Sequence, residues 1–171
     1  ALPVSARAEL NDSLWHGCRY TSSGGRPSGL CELWDMNAES GYVVKGPGDL
    51  TINWRKGVPA RMLYLEWRTL PEPFTLTQFD QDGTQISSVP GETWELNQLY
   101  KISPDARSLS IASQTDMDLC SALVYGPNMI PKNYHPWNPT PEKLDYLVIA
   151  THPDDDILFL GAVVPLLGVS R

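Results

Sequence analysis

The sequence is poor in three features, and each absence excludes something. No apolar run approaches the roughly 20 residues that a bilayer-spanning helix needs, so no membrane span is expected. Lys and Arg do not cluster: 13 basic residues are scattered among 20 acidic ones, giving a formal net charge of −7. Phosphate neutralisation needs a basic patch or stripe, so nucleic acid is excluded as a partner. Cysteine is used three times, at Cys18, Cys31 and Cys120. An odd count rules out a fully paired disulfide framework within the chain and leaves either three thiols or one disulfide with a leftover thiol. Cys18 with Cys120 would tie the first strand of a domain to its last, whereas Cys18 with Cys31 would close a Gly-Ser-rich loop. Spacing leaves both open. Internal repeats and low-complexity tracts are also missing.

What is present is turn chemistry. The chain carries 15 Pro and 13 Gly, about the punctuation that a set of short strands requires. Ala6-Arg7-Ala8 has a small-x-small pattern with no hydrophobic run before it. It reads equally as the remains of a processed signal or as an arbitrary start. From Gly41 to Tyr125 the pattern has period two. Leu50, Ile52 and Trp54 alternate with Thr51 and Asn53; Leu63, Leu65 and Trp67 alternate with Tyr64, Glu66 and Arg68; Phe74 and Leu76 alternate with Thr75 and Thr77. Such alternation predicts strands with one face on a core and the other in water. Asp82-Gly83 between two such runs predicts a hairpin. Leu109 and Ile111, then the run Leu119 to Tyr125, complete a mainly β domain over residues 1–126, an antiparallel, jelly-roll-like β-sandwich.

Prolines 131, 136, 139 and 141 then mark residues 127–143 as an extended linker that contains Trp137. Leu144 to Ala150 is nearly continuous and apolar, as in a strand buried on both faces of a parallel sheet. A polar loop follows, and Ile157 to Leu167 reads as a helix with Gly168 as its C-cap. Strand, loop and helix predict the first β-α unit of an open α/β (Rossmann-like) sheet over residues 144–171, where ligands sit at strand carboxyl ends.

That loop is His152-Pro153-Asp154-Asp155-Asp156. An imidazole and a carboxylate, His152 and Asp155, are ordinary zinc ligands, and Asp154 beside them can take a proton from metal-bound water. The blander reading is that the acids cap the helix and offset its dipole, which leaves the His-Pro before them without a role. Leu-Val-Ile-Ala-Thr-His-Pro-Asp-Asp-Asp, residues 147–156, resembles the signature of the PIG-L/LmbE family of zinc-dependent N-acetylglucosaminyl deacetylases. The resemblance implies His152 and Asp155 as the first two zinc ligands, Asp154 as the general base, and Gly161 as a glycine of the following helix. Asp156 stands where the family has Glu. The family's third ligand is a later histidine, so a zinc site would be completed beyond residue 171. The resemblance covers about 30 of 171 residues.

The expectation is therefore the N-terminal part of a zinc-dependent deacetylase that removes the acetyl group from an N-acetylglucosamine-containing substrate. The 171 residues alone would be inactive, because one strand and one helix cannot bury a sheet. The rest of the protein would supply a partner piece, and Arg171 is compatible with a proteolytic end. The alternative is a glycan- or protein-binding β-sandwich with an inactive catalytic remnant; a structural adaptor is a third. Residues 15–125, chiefly Leu50 to Gly83, are faintly similar to discoidin-like (galactose-binding-like) sandwiches, which implies a glycan partner. Trp54 and Trp67 share phase with Leu and Ile and are expected in the core. Trp15, Trp34 and Trp94, in Gly-, Asp- or Pro-rich surroundings, are the candidates for a sugar-facing aromatic. His16 and His135 have no metal-ligand partner at useful spacing. The acidic pI, the Trp-rich sandwich and a possible disulfide point to a secreted or extracytoplasmic location.

Overall fold

The computed structural model describes residues 7–8, 12–35, 37, 39–132 and 134. The chain divides into two compact units, Ala1–His135 and Pro136–Arg171, and all described residues belong to the first. Its strands are β1 (Arg7–Ala8), β2 (Cys18–Ser22), β3 (Tyr42–Val44), β4 (Gly48–Trp54), β5 (Met62–Trp67), β6 (Phe74–Phe79), β7 (Gln85–Pro90), β8 (Asn97–Lys101), β9 (Ser108–Ser113), β10 (Met117–Tyr125) and β11 (Ile130–Pro131). Two 3-10 segments, Trp15–Gly17 and Pro27–Trp34, flank β2.

Two sheets carry the fold: a five-stranded one in the order β2-β4-β9-β6-β7 and a four-stranded one in the order β3-β10-β5-β8. Every pairing within them is antiparallel. From β2 to β6 the chain changes sheet at each step, so each strand's apolar face meets that of the strand before it across the core. This is the expected mainly β sandwich. β1 and β11 form a separate parallel pair, and β11 falls inside the stretch read as an extended linker.

Period two is the cause of the core. Leu50 lies opposite Ile111 and Ile52 opposite Leu109. Leu76 flanks Ile111 from the other side. These five side chains are buried with Leu63, Leu65 and Leu119 of the facing sheet. Trp54 and Trp67 are buried as expected, Trp54 donating its indole N–H to the Ala106 carbonyl at 3.2 Å. The hairpin at Asp82-Gly83 joins β6 to β7, Gly83 taking a φ of +79° that costs a glycine little.

The four-stranded sheet departs from the one-wet-face expectation. Tyr64, predicted to face water, is buried, because Met62, Tyr64, Leu123 and Tyr125 form a second apolar cluster on that sheet's outer face, with Trp34, Leu99, Met129 and Tyr134 packed against it. Alternation in β10 also changes phase. The pairing with β5 shifts register between Leu119 and Ser121. Met117 and Leu119 join the main core before the shift, and Ala122 and Val124 join it after. A bulge inserts one unpaired residue and so reverses which face each later side chain takes.

The cysteines are all thiols. Cys31 is exposed, Cys120 is buried, and half-buried Cys18 has its thiol pushed up to about 12 by burial. Burial is also the main cause that raises Cys120. Neither pairing considered from spacing forms, which withdraws the disulfide from the case for a secreted chain. Titration of the native protein with a thiol-specific disulfide reagent at mildly alkaline pH is expected to modify Cys31 rapidly and the other two only after denaturation. Cysteines that stay unreactive in denaturant until a reductant is added would overturn the thiol assignment.

Candidate functional site

The sandwich has two unlike ends. At one, the backbone N–H of Leu14 donates to Val124 at 2.7 Å, so the segment leading into β2 lies beside the end of β10. The other end holds the last residues of β2, β3 and β5 and the first residues of β4 and β10. Its longest connection, Ser23 to Gly41, contains the 3-10 helix Pro27–Trp34. There the connection and β3 enclose a cavity of about 460 Å3, walled by Arg26, Glu32, Tyr42, Val43 and Lys45 and by Gly25, Gly29 and Gly41.

Each wall is held by a specific contact. Ser23 donates its N–H to the Asp49 carbonyl at 3.0 Å, and Asp49 N–H donates to Ser23 Oγ at 2.8 Å. Lys45 N–H donates to Gly24 O at 2.6 Å, fastening the loop to β3. Lys45 Nζ pairs with Asp116 at 2.6 Å, and the same carboxylate accepts from Gly46 N–H at 3.0 Å. Both partners are exposed, so the pair sets geometry more than stability. The Lys45 hydrogen bond, assisted by Gly46, holds the Asp116 carboxyl below its ordinary value. Beside the cavity, Arg68 lies 3.3 Å from Asp118 and donates to the Glu39 carbonyl at 3.2 Å.

Tyr42 gives the cavity its chemistry. The residue is only 3% exposed, and its hydroxyl makes no hydrogen bond among the described residues. A buried hydroxyl without a partner costs about 1–3 kcal/mol. The glycines explain how the ring fits. A Cβ at position 25 would run into the Tyr42 hydroxyl, and one at position 29 would lie 3.3 Å from the Tyr42 ring. The cavity therefore combines an unsatisfied phenol, a half-buried carboxylate at Glu32 and exposed cations at Arg26 and Lys45. Such a set can exchange hydrogen bonds with a polar, uncharged ligand that both donates and accepts.

The residues singled out from sequence fall elsewhere. His152, Asp154 and Asp155, like Gly161, His135 and Trp137, lie outside the described residues, as does the whole strand-loop-helix of 144–171. Among the described residues no group of three His, Cys, Asp or Glu could hold a metal ion, and no helix is long and apolar enough to cross a membrane. Trp15 and Trp34 are half-buried and spend their faces on each other, stacked at 5.5 Å and 16°. His16 covers Trp15 at 3.5 Å, and Tyr20 packs on Trp34 at 4.7 Å. Trp94 alone of the three is mainly exposed, at 54%, and its indole N–H donates to Glu92 at 2.7 Å. Sequence reasoning missed Tyr42, Arg26, Glu32 and Lys45. The available signal is the glycine density of that loop, which spacing alone marks only as a segment that a Cys18–Cys31 disulfide would close.

No family model matches this sequence, and no curated protein matches it. Solved structures do match the fold. The lectin domain of lectinolysin, solved with Lewis B antigen, superposes with a TM-score of 0.55 at 12% identity over 71% of this chain and 99% of that one. A Streptococcus pneumoniae fucose binding module gives 0.52 at 14% identity over 63% and 89%. The family 32 carbohydrate-binding module of C. perfringens NanJ, solved with galactose, gives 0.50 at 12% over 64% and 93%. The match is one of fold, and it agrees with the faint similarity of residues 15–125 to galactose-binding-like sandwiches. Function as a PIG-L/LmbE-type deacetylase is corrected accordingly, because the chain's structural relatives are carbohydrate-binding modules. The physical reason is the weight of each signal. The motif occupies ten residues, while the core of the sandwich draws its side chains from strands spread between β2 and β10.

Two outcomes follow from this geometry. Tyr42→Phe removes an unsatisfied hydroxyl and is expected to stabilise the ligand-free protein by about 1 kcal/mol, a rise in Tm of about 2–4 °C by calorimetry; a fall in Tm would show that the hydroxyl has a partner. Asp49, which anchors the loop, has a lowered pKa: burial raises it, and hydrogen bonds from Ser23, Thr51 and Ser110 together outweigh burial. A depressed carboxyl contributes stability above its ordinary value of 3.8 and loses it as pH falls through the lower folded value. Asp49→Asn is therefore expected to flatten the acid limb of the stability curve below about pH 4, measured by denaturant titration, and an unchanged limb would contradict the assignment.

Proposed function

We propose that the described unit is a glycan-binding module and that the cavity around Tyr42 is its saccharide site. The observation that carries this reading is the Tyr42 hydroxyl, which is buried against Gly25 without a partner among the described residues, at the wall of a cavity whose other residues offer both donors and acceptors. A sugar hydroxyl donates and accepts at once, so it can satisfy the phenol while engaging Glu32, Arg26 or Lys45. The loop is already fastened to β3 and β4, which lowers the ordering cost of binding.

The fold supports the proposal, since the matched structures include a lectin domain with Lewis B antigen and a carbohydrate-binding module with galactose. A secreted or extracytoplasmic location is part of the proposal, because displayed glycans lie there; it rests on the ligand and not on any disulfide.

Isothermal titration with L-fucose, D-galactose and the Lewis b oligosaccharide tests the reading. At least one is expected to bind, and Tyr42→Phe is expected to weaken it about tenfold, the equivalent of 1.4 kcal/mol, while raising Tm. Binding of none of the three, or binding untouched by both Tyr42→Phe and Arg26→Ala, would overturn it.

A further inference from the structure

β7 is the last strand of the five-stranded sheet, paired with β6 on one side and with no strand on the other among the described residues. Two other sheet edges are occupied from outside. Beside β3, Lys45 N–H donates to Gly24 O at 2.6 Å, and at the end of β8 the Lys101 carbonyl accepts from Gln78 Nε2 at 3.0 Å. Among the described residues no loop and no side chain hydrogen-bonds to the backbone of β7 beyond its ladder with β6. Native edges are commonly guarded by charged side chains, lysine above all. Gln85-Ile86-Ser87-Ser88-Val89-Pro90 carries no charge, and all but Ser87 are exposed.

The ladder fixes which groups point outward. Gly91 N–H donates to Phe74 O at 2.9 Å, just beyond the opposed residues Thr75 and Pro90. That bond makes Thr75–Pro90 a pair that exchanges none of its own, and such pairs alternate along an antiparallel ladder with bonded ones. Leu76–Val89 is therefore a bonded pair and Thr77–Ser88 is not, in keeping with the 3.1 Å between the Thr77 and Ser88 hydroxyls. Ser88 thus turns both its N–H and its C=O away from β6, and Pro90 turns out its C=O. An apolar ledge lies beside this edge. Val89 is opposite the core residue Leu76 and shares its face, yet it is 42% exposed, so the four-stranded sheet stops short of covering β7. A strand added here would pair with Ser88 and rest alternate side chains against Val89.

Charge selects the occupant. Asp80 and Asp82 precede β7, and Glu92 and Glu95 follow it. Glu92 is pinned: its N–H donates to Tyr100 Oη at 3.0 Å, its carbonyl accepts from Gln98 Nε2 at 2.6 Å, and its carboxylate accepts from Trp94 Nε1 at 2.7 Å. Burial, and then Glu92 itself, raise the Glu95 carboxyl. Lys101, held to Gln78 through its carbonyl, sets one exposed cation against these acids. A second copy of the chain is disfavoured in either direction. Antiparallel pairing brings the acids before one β7 beside those after the other, parallel pairing aligns each acid with itself, and opposed like charges repel. We infer that β7 is a docking edge for an extended segment of a partner protein, β-branched at alternate positions and carrying Lys or Arg at both ends. No residue of β7 lines the Tyr42 cavity, and the inference does not rest on a glycan there.

The test is a titration of isotopically labelled protein with the capped peptide Lys-Lys-Thr-Val-Thr-Val-Thr-Lys-Lys, followed by amide resonances and hydrogen exchange. Shifts are expected from Gln85 to Gly91. The Ser88 N–H is expected to exchange at least about tenfold more slowly once it gains a partner, while the Val89 N–H, already bonded to β6, changes little. Replacing the lysines of the peptide by Glu is expected to weaken binding at least about tenfold, and added salt to weaken the parent peptide. N-methylation of one alternate set of peptide residues is expected to abolish binding and of the other set to spare it, because only one set turns its N–H to β7. Asp82→Asn with Glu92→Gln leaves the strand intact and is expected to lower affinity at least about threefold, with a shallower salt dependence. No shifts along β7, equal binding of the Glu peptide or of both N-methylated forms, or wild-type affinity in the double variant would overturn the proposal. So would Ser88 protection that rises with protein concentration alone, the mark of a second copy. Failure of sugars at the Tyr42 cavity would leave it standing.

Discussion

The placement of β10 is the constraint on which the rest of this molecule depends. It is the longest strand and runs between β3 and β5 in the four-stranded sheet. One side of it, with Leu119, Ala122 and Val124, closes the core against the five-stranded sheet; the other, with Leu123 and Tyr125, belongs to the outer apolar cluster. A strand buried on both faces has no solvated side on which to tolerate error. The bulge after Leu119 is what lets one apolar run serve both layers. The Tyr20 hydroxyl, reaching across the core to the Ala122 carbonyl at 2.9 Å, satisfies backbone polarity where that strand is most enclosed.

With that frame fixed, both cavities arise from the same circumstance. Strand ends are where side chains leave the core and where backbone groups need partners from loops. At one end a glycine-rich connection is fastened to β3 and β4 and leaves the Tyr42 hydroxyl unsatisfied. At the other, β4 and β6 end beside the start of β9 around a second cavity walled by Asp80 and Arg107, and Arg107 Nε is buried there without a partner among the described residues. Native proteins keep few such groups; among the described residues Ser13 Oγ and Trp67 Nε1 are the others, and neither lines these two cavities. The half-buried tryptophans follow the opposite logic. Trp15, Trp34 and Tyr20 satisfy one another by stacking and so have no open face to give a ligand.

How far the sequence could be read depended on whether a signal was local. β4, β6 and the Asp82-Gly83 turn were legible because period two and a positive-φ glycine are properties of neighbouring residues. Trp54 and Trp67 were assignable for the same reason. Tyr64 was misread, since its alternation is correct for β5 but says nothing about a second cluster that Trp34, Leu99 and Met129 assemble from distant positions. Tyr42 and Lys45 carried no motif at all; their roles come from a loop that starts some twenty residues earlier. The motif His152 to Asp156 showed the converse weakness, a local pattern clear enough to suggest a chemistry that the fold of the larger part of the chain does not share.

By itself, then, the sequence determined several of the strands (β4, β5, β6, β9 and β10), the hairpin and the mainly β class, because composition and alternation act over a few residues. Only the tertiary structure decided which sheet each strand joined, where alternation reversed in β10, that the three cysteines remain thiols, and which polar groups were left unsatisfied beside open space. Those outcomes depend on contacts between residues far apart in the chain, and a pattern confined to neighbours holds no record of them.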